Sequence, residues 1–136
     1  MADPTATRTN ILPTHVLIVD DERVNLLLTA KMVEKLGHTS QSAQNARQAL
    51  EAMDEQRFDL ALLDVQMPVV TGLDLARTIR EREDGGPRVP IYALTAHADE
   101  EGLAACLEAG MDGLIAKPLE IDQLKELLER FSPGRD

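Results

Sequence analysis

The sequence predicts an α/β fold: a doubly wound (βα)5 domain around one five-stranded parallel sheet, in the order 2-1-3-4-5. Three observations predict it. Short strand-like segments, most of them apolar, alternate with longer helical stretches five times along the chain. Two of those runs are unbroken, as expected of interior strands covered on both faces. The length of 136 residues suits one domain, and 43 % of the residues are hydrophobic, which is enough for a sizeable core.

Residues 1–14 are polar, carry Pro4 and Pro13, and read as a loose leader without a hydrophobic signal core. Residues 15–20 (HVLIVD) form an apolar run that closes in acid. Residues 22–36 read as a helix, stopped by Gly37. Residues 39–44 are extended and polar. Residues 45–56 read as a helix with Asn45 as N-cap and Gln48 completing a capping box. Residues 59–64 (DLALLD) are a second apolar run ending in acid, and 71–82 a helix with a Thr-x-x-Asp start. After a break at 85–87 come a strand at 90–95, a helix at 99–109 stopped by Gly110, and a short strand at 112–116. The helix at 119–131 places Leu124, Leu127, Leu128 and Phe131 on one stripe. Residues 132–136 read as a frayed tail, which leaves 15–131 as the folded domain.

Strands joined by helices imply right-handed crossovers and a parallel sheet. The polar second strand and the short fifth belong at the edges, and the order 2-1-3-4-5 satisfies this. In such sheets a site forms beyond the carboxyl ends of the strands, where the order reverses.

Composition excludes several function classes. Lys and Arg number 14 against 24 Asp and Glu, a net charge of −10 that repels nucleic acid and anionic membranes. Aromatics are 2 %, too few for a base-stacking platform. The single cysteine, Cys106, allows no intrachain disulfide or cysteine-based zinc site and suits a reducing, cytoplasmic setting. Cys106 and Met67 read as packing residues, and no apolar run is long enough to span a bilayer.

The carboxyl ends of the strands carry the chemistry. The first ends in Asp20-Asp21, the third in Asp64, the fourth in Thr95, and the fifth is followed by Lys117-Pro118. Crowded carboxylates repel one another and call for a cation. Hard oxygen ligands without His or Cys favour Mg²⁺, with Mn²⁺ as a substitute. A carboxylate there can attack phosphorus and become an aspartyl-phosphate. The ion and the Lys117 ammonium would offset charge on the transferring group, and Thr95 could donate to it.

Asp20-Asp21, Asp64 in DVQMP, Thr95 in LTA and Lys117 in AKP resemble, in that order, the receiver domain of bacterial two-component response regulators. The resemblance covers about residues 15–131. That family is flavodoxin-like with the order 2-1-3-4-5, so the order inferred above is not independent of it. The resemblance implies that Asp64 is the phosphoacceptor and that Asp21, Asp20 through water, and the backbone carbonyl of Gln66 hold the metal with it. It implies that Thr95 is the switch hydroxyl, that Lys117 binds the phosphoryl group, and that the bond to Pro118 is cis. Gln66 and His97 occupy positions that tune dephosphorylation. The family's switch aromatic is replaced here by Leu114, which puts the usual threonine–aromatic relay in doubt. Tyr92, on another strand, is no substitute.

The implied partners are a histidine kinase or histidine phosphotransfer protein and a downstream protein, with no nucleic acid or membrane. In the first helix Leu28, Met32 and Leu36 read as a buried stripe, with Leu26, Leu27 and Ala30 turned away from it. Leu27 with its neighbours Leu26, Leu28 and Ala30 is therefore a candidate docking patch. With five residues after Phe131, the expectation is a single-domain response regulator, which is not an enzyme beyond its own phosphorylation and dephosphorylation. The alternatives are a receiver segment of a hybrid kinase, a small Mg²⁺-dependent phosphatase, a flavodoxin-like cofactor binder and a degenerate scaffold. Gln66 stands where an aspartate-nucleophile phosphatase would carry its second acid. Asp20-Asp21-Glu22 stands where a flavin binder would have a phosphate loop.

Overall fold

The computed structural model describes residues 12–66 and 71–133, so the readings of Met67 and of residues 1–11 and 134–136 lie outside the described residues. The strands are β1 (His15–Val19), β2 (Thr39–Ala43), β3 (Leu60–Asp64), β4 (Ile91–Thr95) and β5 (Gly113–Ala116). They alternate with α1 (Arg23–Lys35), α2 (Ala46–Glu55), α3 (Gly72–Glu83), α4 (Glu100–Glu108) and α5 (Ile121–Arg130). All strand pairs are parallel, and the sheet order is β2-β1-β3-β4-β5. The fold class expected from the sequence is the one observed.

Side chains alternate across each strand, so each interior strand feeds two cores. Leu17, Val19, Leu63, Ile91 and Ala93 point to one face and pack with Ala49, Leu75, Ile79 and Cys106 of α2, α3 and α4. Val16, Ile18, Leu60, Leu62 and Leu94 point to the other and pack with Leu26 and Val33 of α1 and Leu124 and Leu128 of α5. Burial on both sides is why β1 and β3 are continuously apolar, while the edge strand β2 is mostly exposed.

Local chemistry starts and ends the helices. Asn45 caps α2 by accepting from Gln48 N–H, and Asp99 caps α4 by accepting from Gly102 N–H. Thr71 and Asp74 form a reciprocal capping box that opens α3. Gly37 and Gly110, at φ of 89° and 96°, turn the chain out of α1 and α4.

The folded domain extends past the limits read from the sequence. Thr14 is fully buried: its N–H donates to His38 Nδ1 at 2.8 Å and its hydroxyl to the Leu128 carbonyl at 2.6 Å. Ser132, expected in a frayed tail, is also buried, and its hydroxyl donates to the Leu12 carbonyl at 2.7 Å. These bonds clasp the start of β1 to the end of α5.

Candidate phosphoryl-transfer site

Parallel strands bring their carboxyl ends to one rim. Val19 pairs with Leu63, which places Asp20 level with Asp64. Asp64 pairs with Leu94 and Thr95 with Ala116, which brings Thr95 and Lys117 to the same edge. Three of these strand ends close in the same way. Asp20 Oδ1 accepts from Glu22 N–H at 2.9 Å, Asp64 Oδ1 from Gln66 N–H at 3.0 Å, and Thr95 Oγ1 from His97 N–H at 2.9 Å. Each side chain thus fastens the backbone two residues on, which turns the loop away and leaves the rim open. Thr95 does not cap the next helix; Asp99 does.

Carboxylate oxygens of Asp20, Asp21 and Asp64 all lie within 4.8 Å of one another. Lys117 Nζ lies 3.2 Å from Asp64 Oδ1, and the Lys117 N–H donates to the Thr95 carbonyl at 2.9 Å. The Lys117–Pro118 peptide is cis. Asp20, Asp64 and Thr95 are buried, and Asp21 is exposed at the mouth. Gln66 and His97 are exposed beside it, and Leu114 is half-buried against the α4 side of the core. Tyr92 points to the opposite face, where it packs on Phe131 and accepts from Arg130 at 3.2 Å.

Burial is the largest influence on Asp20 and pushes its pKa from 3.8 to about 6. The Glu22 N–H opposes that, the Asp64 charge adds to it, and Lys117 opposes it again. One ammonium does not neutralise three carboxylates. A cluster of hard oxygens with an uncompensated charge and one arm open to solvent fits a hydrated divalent cation such as Mg²⁺.

A model of the response regulator receiver domain family matches residues 16–129. The chain belongs to that family. It is similar to the sensor histidine kinase GacS of Pseudomonas protegens, at 37 % identity over 133 residues, covering 96 % of this chain and 14 % of the kinase. It is similar to "Probable histidine kinase 1" of Oryza sativa subsp. indica, at 31 % identity over 148 residues, covering 87 % of this chain and 15 % of that protein. The chain therefore spans only about 15 % of the length of such kinases. Among solved structures, Vibrio cholerae CheY4 matches with a TM-score of 0.80 and 28 % identity, covering 88 % of this chain and 99 % of that one. The receiver domain of sensor histidine kinase PA1611 from Pseudomonas aeruginosa matches at 0.77 and 36 %, covering 88 % and 98 %. That structure holds a magnesium ion in its active-site cleft.

The α1 patch needs correction. Leu26 is 6 % exposed and packs in the core, whereas Leu28 is 56 % exposed. The buried stripe is Leu26, Thr29 and Val33, with Ala30, Met32 and Leu36 half-buried beside it. A search for apolar spacing alone skips Thr29 and sets the buried stripe about one residue out of phase, about 100° of rotation. The outward face instead carries Val24, Leu27 and Leu28. Val24 was missed, although its i, i+3, i+4 spacing with the two leucines marks one face. Among the described residues no helix is long and apolar enough to cross a membrane.

Proposed function

We propose that this receiver domain acts in a phosphorelay by accepting a phosphoryl group on Asp64 from a phosphohistidine. The observation that carries this reading is the 3.2 Å approach of Lys117 Nζ to Asp64 Oδ1 inside the three-carboxylate cup. A free carboxylate oxygen of Asp64 attacks phosphorus. The phosphorus–nitrogen bond to the donor imidazole breaks, its electron pair stays on the ring nitrogen, and an acyl phosphate forms. Lys117 shifts from the Asp64 carboxylate to the phosphoryl oxygens, and the Thr95 hydroxyl donates to one of them.

Asp20, Asp21, Asp64 and the Gln66 carbonyl are the groups that would hold Mg²⁺ or Mn²⁺. When bound, the ion supplies charge compensation for the phosphoryl oxygens. Gln66 and His97 flank the path of the water that later hydrolyses the acyl phosphate. With Leu114 in place of an aromatic, the change is carried by the Asp64–Thr95–Lys117 rim, where phosphorylation replaces one negative charge by about two. The chain catalyses only its own phosphorylation and dephosphorylation.

The donor is a histidine kinase or histidine phosphotransfer protein, docked on Val24, Leu27 and Leu28 next to the acid cup. A structure of the yeast phosphotransfer protein Ypd1 with the Ssk1 receiver domain matches this chain at a TM-score of 0.82 and 25 % identity, covering 90 % of each chain. The similarity to kinases favours a second setting, in which this receiver works as a segment of a hybrid histidine kinase rather than as a single-domain regulator. The chemistry at Asp64 is the same in both.

Incubation with acetyl phosphate and Mg²⁺, followed by intact mass measurement, tests the reading. Wild type should gain one phosphoryl group, and neither Asp64→Asn nor the EDTA-treated chain should. Equal labelling of Asp64→Asn would overturn it.

A further inference from the structure

Gly72, the first residue of α3, follows Asp64 by eight residues and carries no functional group. Its position relative to Asp64 is nevertheless tightly constrained. A β-carbon built on Gly72 would stand 2.4 Å from the Asp64 carbonyl oxygen, 2.9 Å from Val65 Cα and 3.0 Å from the Asp64 carbonyl carbon. All three atoms are backbone, so no side chain can swing aside. Gly72 is buried, and its N–H points at the Val65 carbonyl at 3.4 Å. The start of α3 therefore rests directly on the backbone that carries Asp64 out of β3. The Thr71–Asp74 capping box disfavours fraying of that helix end.

We infer that Gly72 is a positioning residue for phosphoryl transfer: its missing side chain lets α3 seat against the Asp64 backbone and set the height of the Asp64 carboxylate in the cup. The inference rests on the assignment of Asp64 as phosphoacceptor. One oxygen of the Asp64 carboxylate, Oδ1, is tied by both Gln66 N–H and Lys117 Nζ. Any side chain at position 72 must lift either the helix or the end of β3. Lifting β3 moves Asp64 relative to Asp20, Asp21 and Lys117, and moves the Gln66 carbonyl two residues on. A displacement of about 1 Å in a reacting geometry costs roughly a hundredfold in rate.

Elsewhere in the fold, a cavity of about 470 Å³ opens among the C-terminal turns of α2 and α3, with Arg57, Arg82 and Arg88 at its rim. Arg82 and Arg88 are engaged by Asp54 and Asp112, and the helix C-termini oppose an anion, so that cavity favours no ligand charge.

The test compares Gly72→Ala with Ala76→Gly. Ala76 is fully buried on the same helix, so Ala76→Gly loosens α3 without pressing on Asp64. Acetyl-phosphate labelling rates and Mg²⁺ affinity by calorimetry are measured per folded molecule, in trimethylamine N-oxide where stability requires it. Gly72→Ala should label at least about tenfold more slowly and bind Mg²⁺ more weakly, with Ala76→Gly close to wild type in both. Wild-type rate and Mg²⁺ affinity in Gly72→Ala would overturn the inference. Equal loss in Ala76→Gly, or a Gly72→Ala chain that the osmolyte cannot fold, would assign the glycine to stability alone and also overturn it. A wild-type chain that takes no phosphoryl group would instead overturn the assignment of Asp64.

Discussion

Asp20 and Asp64 stand side by side at the ends of adjacent strands, 2 % and 3 % exposed, with Lys117 as the ammonium within ion-pair distance of Asp64. Two carboxylates so placed make the metal-free domain carry electrostatic strain at neutral pH.

That strain has a pH signature. Asp20 has a folded pKa of about 6 against 3.8 for the free group. Between those values the folded chain binds more protons than the unfolded chain, so the Asp20 contribution grows more stabilising as pH falls from about 7 to 4. The slope is up to about 1.4 kcal/mol per pH unit. Denaturation of wild type and Asp20→Asn across this range should show wild type gaining on the variant as pH drops. Mg²⁺ at pH 7.5 should raise the wild-type Tm, since it relieves the same repulsion without a proton. A parallel pH dependence of the two chains would refute this account.

Lys117→Met should separate charge balance from catalysis. Removing the ammonium leaves Asp64 less compensated, and the lysine is 30 % exposed, so the cost is about 1–2 kcal/mol, below that of a fully buried pair. The more negative cup should bind Mg²⁺ more tightly by calorimetry, while labelling by acetyl phosphate falls by about 10²-fold or more. Weaker Mg²⁺ binding would place the lysine in a different role.

On α1 the outward residues should affect only the protein donor. Leu27→Asp, Val24→Asp and Leu28→Asp should slow transfer from a phosphorylated phosphotransfer protein and leave acetyl-phosphate labelling unchanged. Leu26→Ala should instead lower stability by about 2–5 kcal/mol, since Leu26 lies in the core. Equal donor-dependent rates in the Leu27 and wild-type chains would remove α1 from the docking surface.

Much of the fold and the site was legible because the two are written in the same places. β1 and β3 are apolar runs that end in acid, so one pattern marks both the interior strands and the rim. The phase of α1 was not legible, because the polar Thr29 fills a core position that an apolar pattern skips. The domain ends were not legible either. Thr14 and Ser132 are small polar residues whose partners, Leu128 and Leu12, lie at the other end of the chain. The close approach of α3 at Gly72 to the Asp64–Val65 backbone is a through-space relationship that spacing does not encode.

Arg80 supplies a control at the opposite end of the sheet. Its guanidinium pairs with Glu83 at 2.9 Å and Asp112 at 3.0 Å, and donates to the Gly110 and Val89 carbonyls at 2.8 Å each. It is 17 % exposed, and it joins α3 to the turn after α4 and to the chain entering β4. Arg80→Ala removes one donor from each of two carboxylates and two carbonyls, while Asp112 keeps Arg88 and the Ile91 N–H and Glu83 keeps the Val89 N–H, at a cost of about 1–3 kcal/mol. Arg80→Lys should recover little of that, because one ammonium cannot span a planar fork of four acceptors. Urea denaturation should place both variants well below wild type. Acetyl-phosphate labelling per folded molecule should stay at the wild-type rate in both, since neither substitution touches the strand ends that hold Asp64. A comparable loss of labelling would mean that the two ends of the sheet are mechanically coupled, and would remove the distinction on which the Gly72 comparison depends.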